Sequence, residues 1–275
     1  MALASDRGID SAARLATVLD ERLVKSLHVR ALRADQLHAE REPHVLFQAS
    51  TIGALLEGAY DGDVTFAELA EHGDLGLGTL NALDGEMIAL DGRFYRANVD
   101  GRVNEVDGSA RTPFAVLTWF APTVELRIGS PLTHEEVLGE LDGHVPAGTA
   151  AWAVRIDGAF ERVRARSVPR QPRPYRPLAE VVADQHVFEL AGTEGTVVGF
   201  RFPDYSEGIE VSGYHLHFIC ADRSRGGHVL ECRVRDAVVR IDPSADLHVE
   251  LPPGVDLAAT QVSTEVLDKV ERSPG

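Results

Sequence analysis

Cysteine is scarce in this 275-residue chain, which has two, Cys220 and Cys232. A chain long enough to bury a substantial core needs no disulfide staple, so both are expected to be small, buried, reduced side chains. Basic residues are outnumbered, with 27 Lys and Arg against 43 Asp and Glu, for a formal charge of −16. That balance argues against nucleic acid or an anionic membrane as partner, since both are bound through clustered Lys and Arg. A small ligand stays open, because a local Arg or a metal can make a positive pocket on an acidic protein. No apolar run approaches the roughly 20 residues of a transmembrane helix. The opening MALASDRGIDSAARLATVLDER is broken by Asp6, Arg7, Asp10 and Arg14 and lacks the apolar stretch of a secretory signal. No G-x-G-x-x-G follows a strand and opens a helix, which disfavours a hydride-transfer enzyme; GDLGLGTL is glycine-rich without that context. The expectation is a cytoplasmic enzyme or binding protein.

What is present reads as α+β, dominated by mixed or antiparallel sheet in two sheet subdomains with few short helices. Residues 1–42 form an N-terminal extension, helix-prone from about Ser11 to His38. Residues 43–170 form a mixed β-sheet domain, and 171–275 an antiparallel β domain that ends in a tail. VLFQAS (45–50) and the apolar run FAVLTWF (114–120) read as strands, the second buried on both faces. Thr65-Phe66-Ala67-Glu68 and Thr133-His134-Glu135-Glu136 are capping boxes that open helices. Asp91-Gly92 between EMIAL and RFYRA is a hairpin signal, repeated at Asp100-Gly101 and at Asp157-Gly158 within AWAVRIDGAFERVRARSV. VPRQPRPYRPL (168–178) holds four prolines, which deny it helix or central strand and make it a connector between two sheet systems. A short helical piece near LAEVVADQHVF follows, then the strands GTVVGFRF, GYHLHFIC, HVLECRVR and AVVRID.

GYHLHFICADRSRGGHVLEC (213–232) places three of the chain's eleven histidines within fourteen residues. Alternation along a strand puts His215 and His217 on one face, with Tyr214, Leu216 and Phe218 on the other. ADRSRGG reads as a turn, with Gly226-Gly227 as permissive backbone, and His228 on the return strand can sit beside the first pair. H-x-H plus a third His on a neighbouring strand favours three facial metal ligands, and imidazole suits Zn, Fe, Ni, Mn or Cu. Cys220 has the wrong parity to join them, and Cys232 lies about four residues from His228 along its strand. Three ligands without a fourth leave an open position, as catalytic metal sites do. By itself the pattern also admits a cupin-like metal-binding β protein with a different enzymatic or non-catalytic role.

LLEGAYDGDVTFAELAEHGDLGLGTLNALDGEMIALDGRFYRANVDGRV (55–103), TPFAVLTWF (112–120), RARSVPRQPRPY (164–175) and GYHLHFICADRSRGGHVL (213–230) closely resemble the alpha-acetolactate decarboxylase family. The resemblance spans about residues 45 to 271. It departs from the family mainly in the N-terminal extension and at ICADRS, where a polar residue is commoner near Cys220.

The resemblance implies decarboxylation of 2-acetolactate to acetoin and CO2 through a metal-stabilised enediolate that is protonated on one face. It implies a divalent metal, usually zinc, on His215, His217 and His228, and a homodimer. It places pocket residues at Glu86 of NALDGEM, at Arg166 of the R-[ST]-V-P motif and at Thr79. A tail glutamate falls at Glu271 in DKVER, with Glu265 as its competitor. Without the resemblance these residues read otherwise. Glu86 would be a solvated strand residue, Arg166 one of a run with Arg162 and Arg164 on a solvated face, and Thr79 a strand former. Glu271 would lie in a terminus too short of packing to be ordered.

Overall fold

The computed structural model describes residues 20–32, 41–206 and 208–251. In chain order the elements are α1 (Glu21–Ser26), β1 (His28–Leu32), β2 (Val45–Ala49), α2 (Ile52–Leu56), β3 (Val64–Thr65), α3 (Phe66–Leu69), β4 (Leu75–Thr79), β5 (Glu86–Leu90), β6 (Arg93–Ala97) and β7 (Val103–Glu105). They continue with β8 (Arg111–Thr112), β9 (Ala115–Thr118), β10 (Val124–Ile128), α4 (His134–His144), β11 (Ala151–Ser167), α5 (Leu178–Val181), β12 (His186–Phe202), β13 (Gly213–Cys220), β14 (Gly226–Ser244) and β15 (Asp246–Glu250). The molecule is mostly β with short helices.

Local chemistry explains many of the boundaries. Both capping boxes form: Thr65 and Glu68 cap the start of α3, and Thr133 and Glu136 the start of α4, each with reciprocal side-chain and backbone bonds. The β5–β6 hairpin turns at Asp91 (φ 54°) and Gly92 (φ 74°), the two left-handed residues that a tight primed turn requires.

Eight strands form one sheet in the order β1-β15-β2-β9-β4-β5-β6-β7. Five form another, β10-β14-β11-β12-β13, in which β14 also pairs with β13, so β11, β12, β13 and β14 close on themselves. Apolar side chains from both sheets, among them Leu77, Ile88 and Phe114 from the first part of the chain and Val198, Phe200 and Ile219 from the second, share one core. A second core fills the five-stranded sheet under α4, and a third lies where α3 covers the eight-stranded sheet. Burial of this kind stabilises by about 25 cal/mol per Å² of apolar surface.

Several expectations are corrected. His28–Leu32 is a strand, not a continuation of a helix; it pairs in parallel with β15, from His28↔Asp246 to Leu32↔Glu250. The sheet edge offered by β15 overrides a weak helical preference. Leu23 and Leu27, just before it, are buried against the shared core. Asp157-Gly158 is not a turn: β11 runs unbroken for 17 residues between β12 and β14. Gly158 is there for close approach, because a Cβ would lie 2.2 Å from the Asp236 carbonyl oxygen. HVLECRVR and AVVRID are likewise one 19-residue strand, β14. The proline-rich segment joins β11 to α5 and β12, so it turns the chain within the five-stranded sheet instead of linking two sheets.

Candidate metal centre and its pocket

The three histidines converge. His217 on β13 stands opposite His228 on β14 in the ladder, and His215 lies two residues along the same face. One nitrogen from each ring falls within 4.8 Å of the others, and all three side chains are buried. Among the described residues this close cluster contains imidazoles only. The approach depends on Gly226 and Gly227, which are strand residues and not part of the turn. A Cβ on Gly226 would meet the Phe218 carbonyl oxygen at 2.6 Å, and one on Gly227 the Arg166 carbonyl oxygen at 2.8 Å. The turn falls earlier, at Ala221–Arg225, with Arg223 left-handed (φ 59°).

His217 is held in the form a metal needs. Its Nδ1 lies 2.8 Å from the backbone oxygen of Met87, which can only accept, so Nδ1 carries the proton and Nε2 its lone pair. Nε2 is buried with no hydrogen-bond partner. Burial first, and then the nearby His215, hold the His217 pKa well below the ordinary histidine range; the Met87 bond opposes them and Arg166 adds to them. A neutral ring with an unsatisfied inward lone pair fits a metal ion.

The eight-stranded sheet supplies the other wall. Thr79 on β4 pairs with Glu86 on β5 across the ladder, and the Thr79 hydroxyl donates to the Gly85 carbonyl at 2.8 Å. Glu86 Oε2 is 3.5 Å from His217 Nε2, so the carboxylate borders the candidate metal position. Between β4 and β5, Ala82 and Leu83 are both left-handed (φ 62° and 52°), an uncommon backbone held by bonds from Ala82 N to Tyr60 O and from Gln171 N to Ala82 O.

Arg166 on β11 stands opposite His228. It shares strand parity with Arg162, but position separates them. Arg162 reaches solvent and pairs with Glu231 at 2.6 Å, whereas Arg166 lies near the end of the strand and is 4 % exposed. Its Nε is buried without a hydrogen-bond partner. Thr79, Glu86, Arg166, His215 and His228 line one pocket of about 450 Å³ including its opening, with Ile52, Leu55, Leu83 and Phe114 as apolar walls. Glu271 and Glu265 lie outside the described residues. Cys220 and Cys232 are free, buried thiols, and burial pushes Cys232 up to about 12, so it is inert.

Two features escaped the sequence. One is the Met87 carbonyl, a backbone group with no side-chain signature. The other is Glu210, 1 % exposed, whose Oε1 is 3.6 Å from His215 Nδ1. It sits in an irregular loop, where no periodicity marks it.

Residues 46–264 match the family model for alpha-acetolactate decarboxylase. The alpha-acetolactate decarboxylase of Methylococcus capsulatus is 47 % identical over 235 residues, covering 85 % of this chain and 90 % of that protein. The Bacillus subtilis enzyme is 41 % identical over 211 residues, covering 77 % and 83 %. The crystal structure of alpha-acetolactate decarboxylase from Bacillus subtilis strain 168 superposes with a TM-score of 0.79 at 38 % identity, over 83 % of this chain and all of that one. The matches run through the strands that carry the histidine cluster, Glu86 and Arg166, and the chain therefore belongs to the alpha-acetolactate decarboxylase family.

Proposed function

We propose that this acetolactate decarboxylase works at one divalent metal held by His215, His217 and His228, with zinc the first candidate for three imidazoles. The observation that carries this reading is the inward Nε2 of His217, buried and neutral beside Glu86. The reaction takes 2-acetolactate to acetoin and CO2. Bound there, the metal would supply Lewis acidity toward the charge that develops as CO2 departs.

The chain's own residues do the rest. The carbon–carbon bond to the carboxylate breaks, CO2 leaves without its electron pair, and an enediolate remains. Arg166 points a planar, permanently charged fork into the pocket, suited to orient the carboxylate before cleavage and to hold the enediolate afterwards. Glu86, beside the metal position, delivers a proton to one face of the enediolate and so fixes one acetoin enantiomer. The tail glutamate, Glu271 or Glu265, is the proposed second proton-handling group. Thr79 braces the β4–β5 turn through Gly85 and so holds Glu86 in place. Ile52, Leu55, Leu83 and Phe114 exclude water, which strengthens each charged contact.

The test is to give racemic acetolactate to zinc-loaded protein and resolve the acetoin by chiral chromatography. One enantiomer is expected. No acetoin would overturn the activity, and racemic product would overturn directed proton delivery.

A further inference from the structure

Glu210 is more deeply buried than Glu86 and belongs to none of the roles above. Its loop is tied down on several sides. Ile209 N and Glu210 N donate to the Ser206 carbonyl at 3.0 and 3.1 Å. The Ile209 carbonyl accepts from Gln48 Nε2 at 2.6 Å and from Ile52 N at 3.0 Å. Glu210 Oε1 itself accepts the Val211 backbone N–H at 2.9 Å. The backbone that carries Glu210 is thus held both by the eight-stranded sheet, through Gln48, and by the start of α2.

What it faces is His215: Oε1 lies 3.6 Å from Nδ1. At that separation the contact is electrostatic and not a hydrogen bond, so its strength follows the charge on the ring. The carboxylate stands outside the close cluster of ligand nitrogens. Histidine ligands commonly give one nitrogen to the metal and turn the other toward a carboxylate or carbonyl. His217 already does this with Met87.

We propose that Glu210 is the positioning residue of His215, its buried carboxylate holding the Nδ1 edge of the ring so that Nε2 is presented to the metal. This rests on the three-histidine metal reading above. A buried carboxylate beside a neutral ring is costly, and the same carboxylate beside a ring that has given its lone pair to a cation is compensated. Glu210 therefore favours the metal-loaded protein over the metal-free one.

Glu210→Gln separates this role from simple packing, because the amide keeps the volume and can keep the Val211 bond while losing the charge. Zinc dissociation constants of wild type, E210Q and E210A are measured by competition with a chromophoric chelator. Thermal unfolding of each metal-free protein and the visible spectrum of each cobalt(II) form are recorded alongside. Both variants are expected to bind zinc roughly 10- to 100-fold more weakly. Metal-free E210Q should unfold no lower than wild type, and its cobalt(II) bands should keep their positions. Unchanged zinc affinity in E210Q overturns the proposal. So does a fall in metal-free stability that parallels the loss of affinity, which marks packing, or a band shift that marks a lost carboxylate ligand. Wild type that binds no zinc would instead overturn the metal reading itself.

Discussion

His217 and Met87 are joined by a hydrogen bond of 2.8 Å from the imidazole Nδ1 to the backbone oxygen. This one contact links the two halves of the site. Met87 follows Glu86 on β5, so the strand that places the carboxylate also fixes the tautomer of the histidine it faces. The packing of β5 against β13 thereby places the carboxylate and orients the histidine ring together.

His217→Ala removes the ring and its inward lone pair. Zinc binding should weaken by more than the roughly 10- to 100-fold typical of an outer-sphere partner, and acetoin formation should be abolished. The Met87 carbonyl loses its donor, so stability should drop by about 1–3 kcal/mol. Metal analysis, acetoin assay and denaturant unfolding check the three parts. Full activity in this variant would contradict the ligand assignment.

Glu86→Gln keeps the shape of the pocket and removes the proposed proton donor. Zinc content should remain, while kcat should fall roughly 10²- to 10⁴-fold, the range of a lost general acid or base. Loss of bound zinc in parallel with activity would show Glu86 acting chiefly as a ligand.

Arg166→Lys retains the charge and loses the planar two-point fork. A lost charge-assisted bond of about 1.5–3 kcal/mol corresponds to a roughly 10- to 100-fold fall in kcat/KM. Steady-state kinetics decide it; unchanged kcat/KM would show that a point charge suffices.

Gly227→Ala forces a methyl group to within 2.8 Å of the Arg166 carbonyl oxygen, next to His228. Overpacking of this kind costs about 1–3 kcal/mol, and the displaced β14 should also weaken zinc binding. Chemical denaturation and zinc titration read the two effects, which should appear together.

The sequence showed the parts of the fold that local chemistry decides. The capping boxes at Thr65 and Thr133 and the Asp91-Gly92 hairpin each depend on residues within a few positions of one another. Asp157-Gly158 carried the same hairpin signal and did not turn, because β12 and β14 pair with both sides of β11 and the extended chain satisfies more backbone groups. Those partners are distant in sequence, so no local pattern announces them. Strand parity grouped His215 with His217 correctly, but the pairing of His217 with His228 needed the tight glycine ladder at Gly226 and Gly227. Glu86 and Arg166 became visible through long motifs alone. Taken singly, one is a strand glutamate and the other one of several arginines.

Glu250 gives a pH prediction independent of the metal. It is 3 % exposed, and burial raises its carboxyl to about 7, with Asp63 and Glu68 adding to the effect. The folded state then holds this proton more tightly than the unfolded state does. Its contribution is full below about 4.5, the ordinary glutamate value, and is lost as pH rises toward about 7. Replacing Glu250 by Gln should flatten that part of the stability profile. Denaturant midpoints between these pH values provide the check, and an unchanged slope would contradict it.

The most direct test of the central claim is a zinc titration of chelated, metal-free protein while acetoin is formed from acetolactate. Metal dependence predicts no acetoin before zinc is added, then a rate that rises in proportion to zinc and levels off at one equivalent per chain. A metal-free protein that already produces acetoin at the full rate would contradict it.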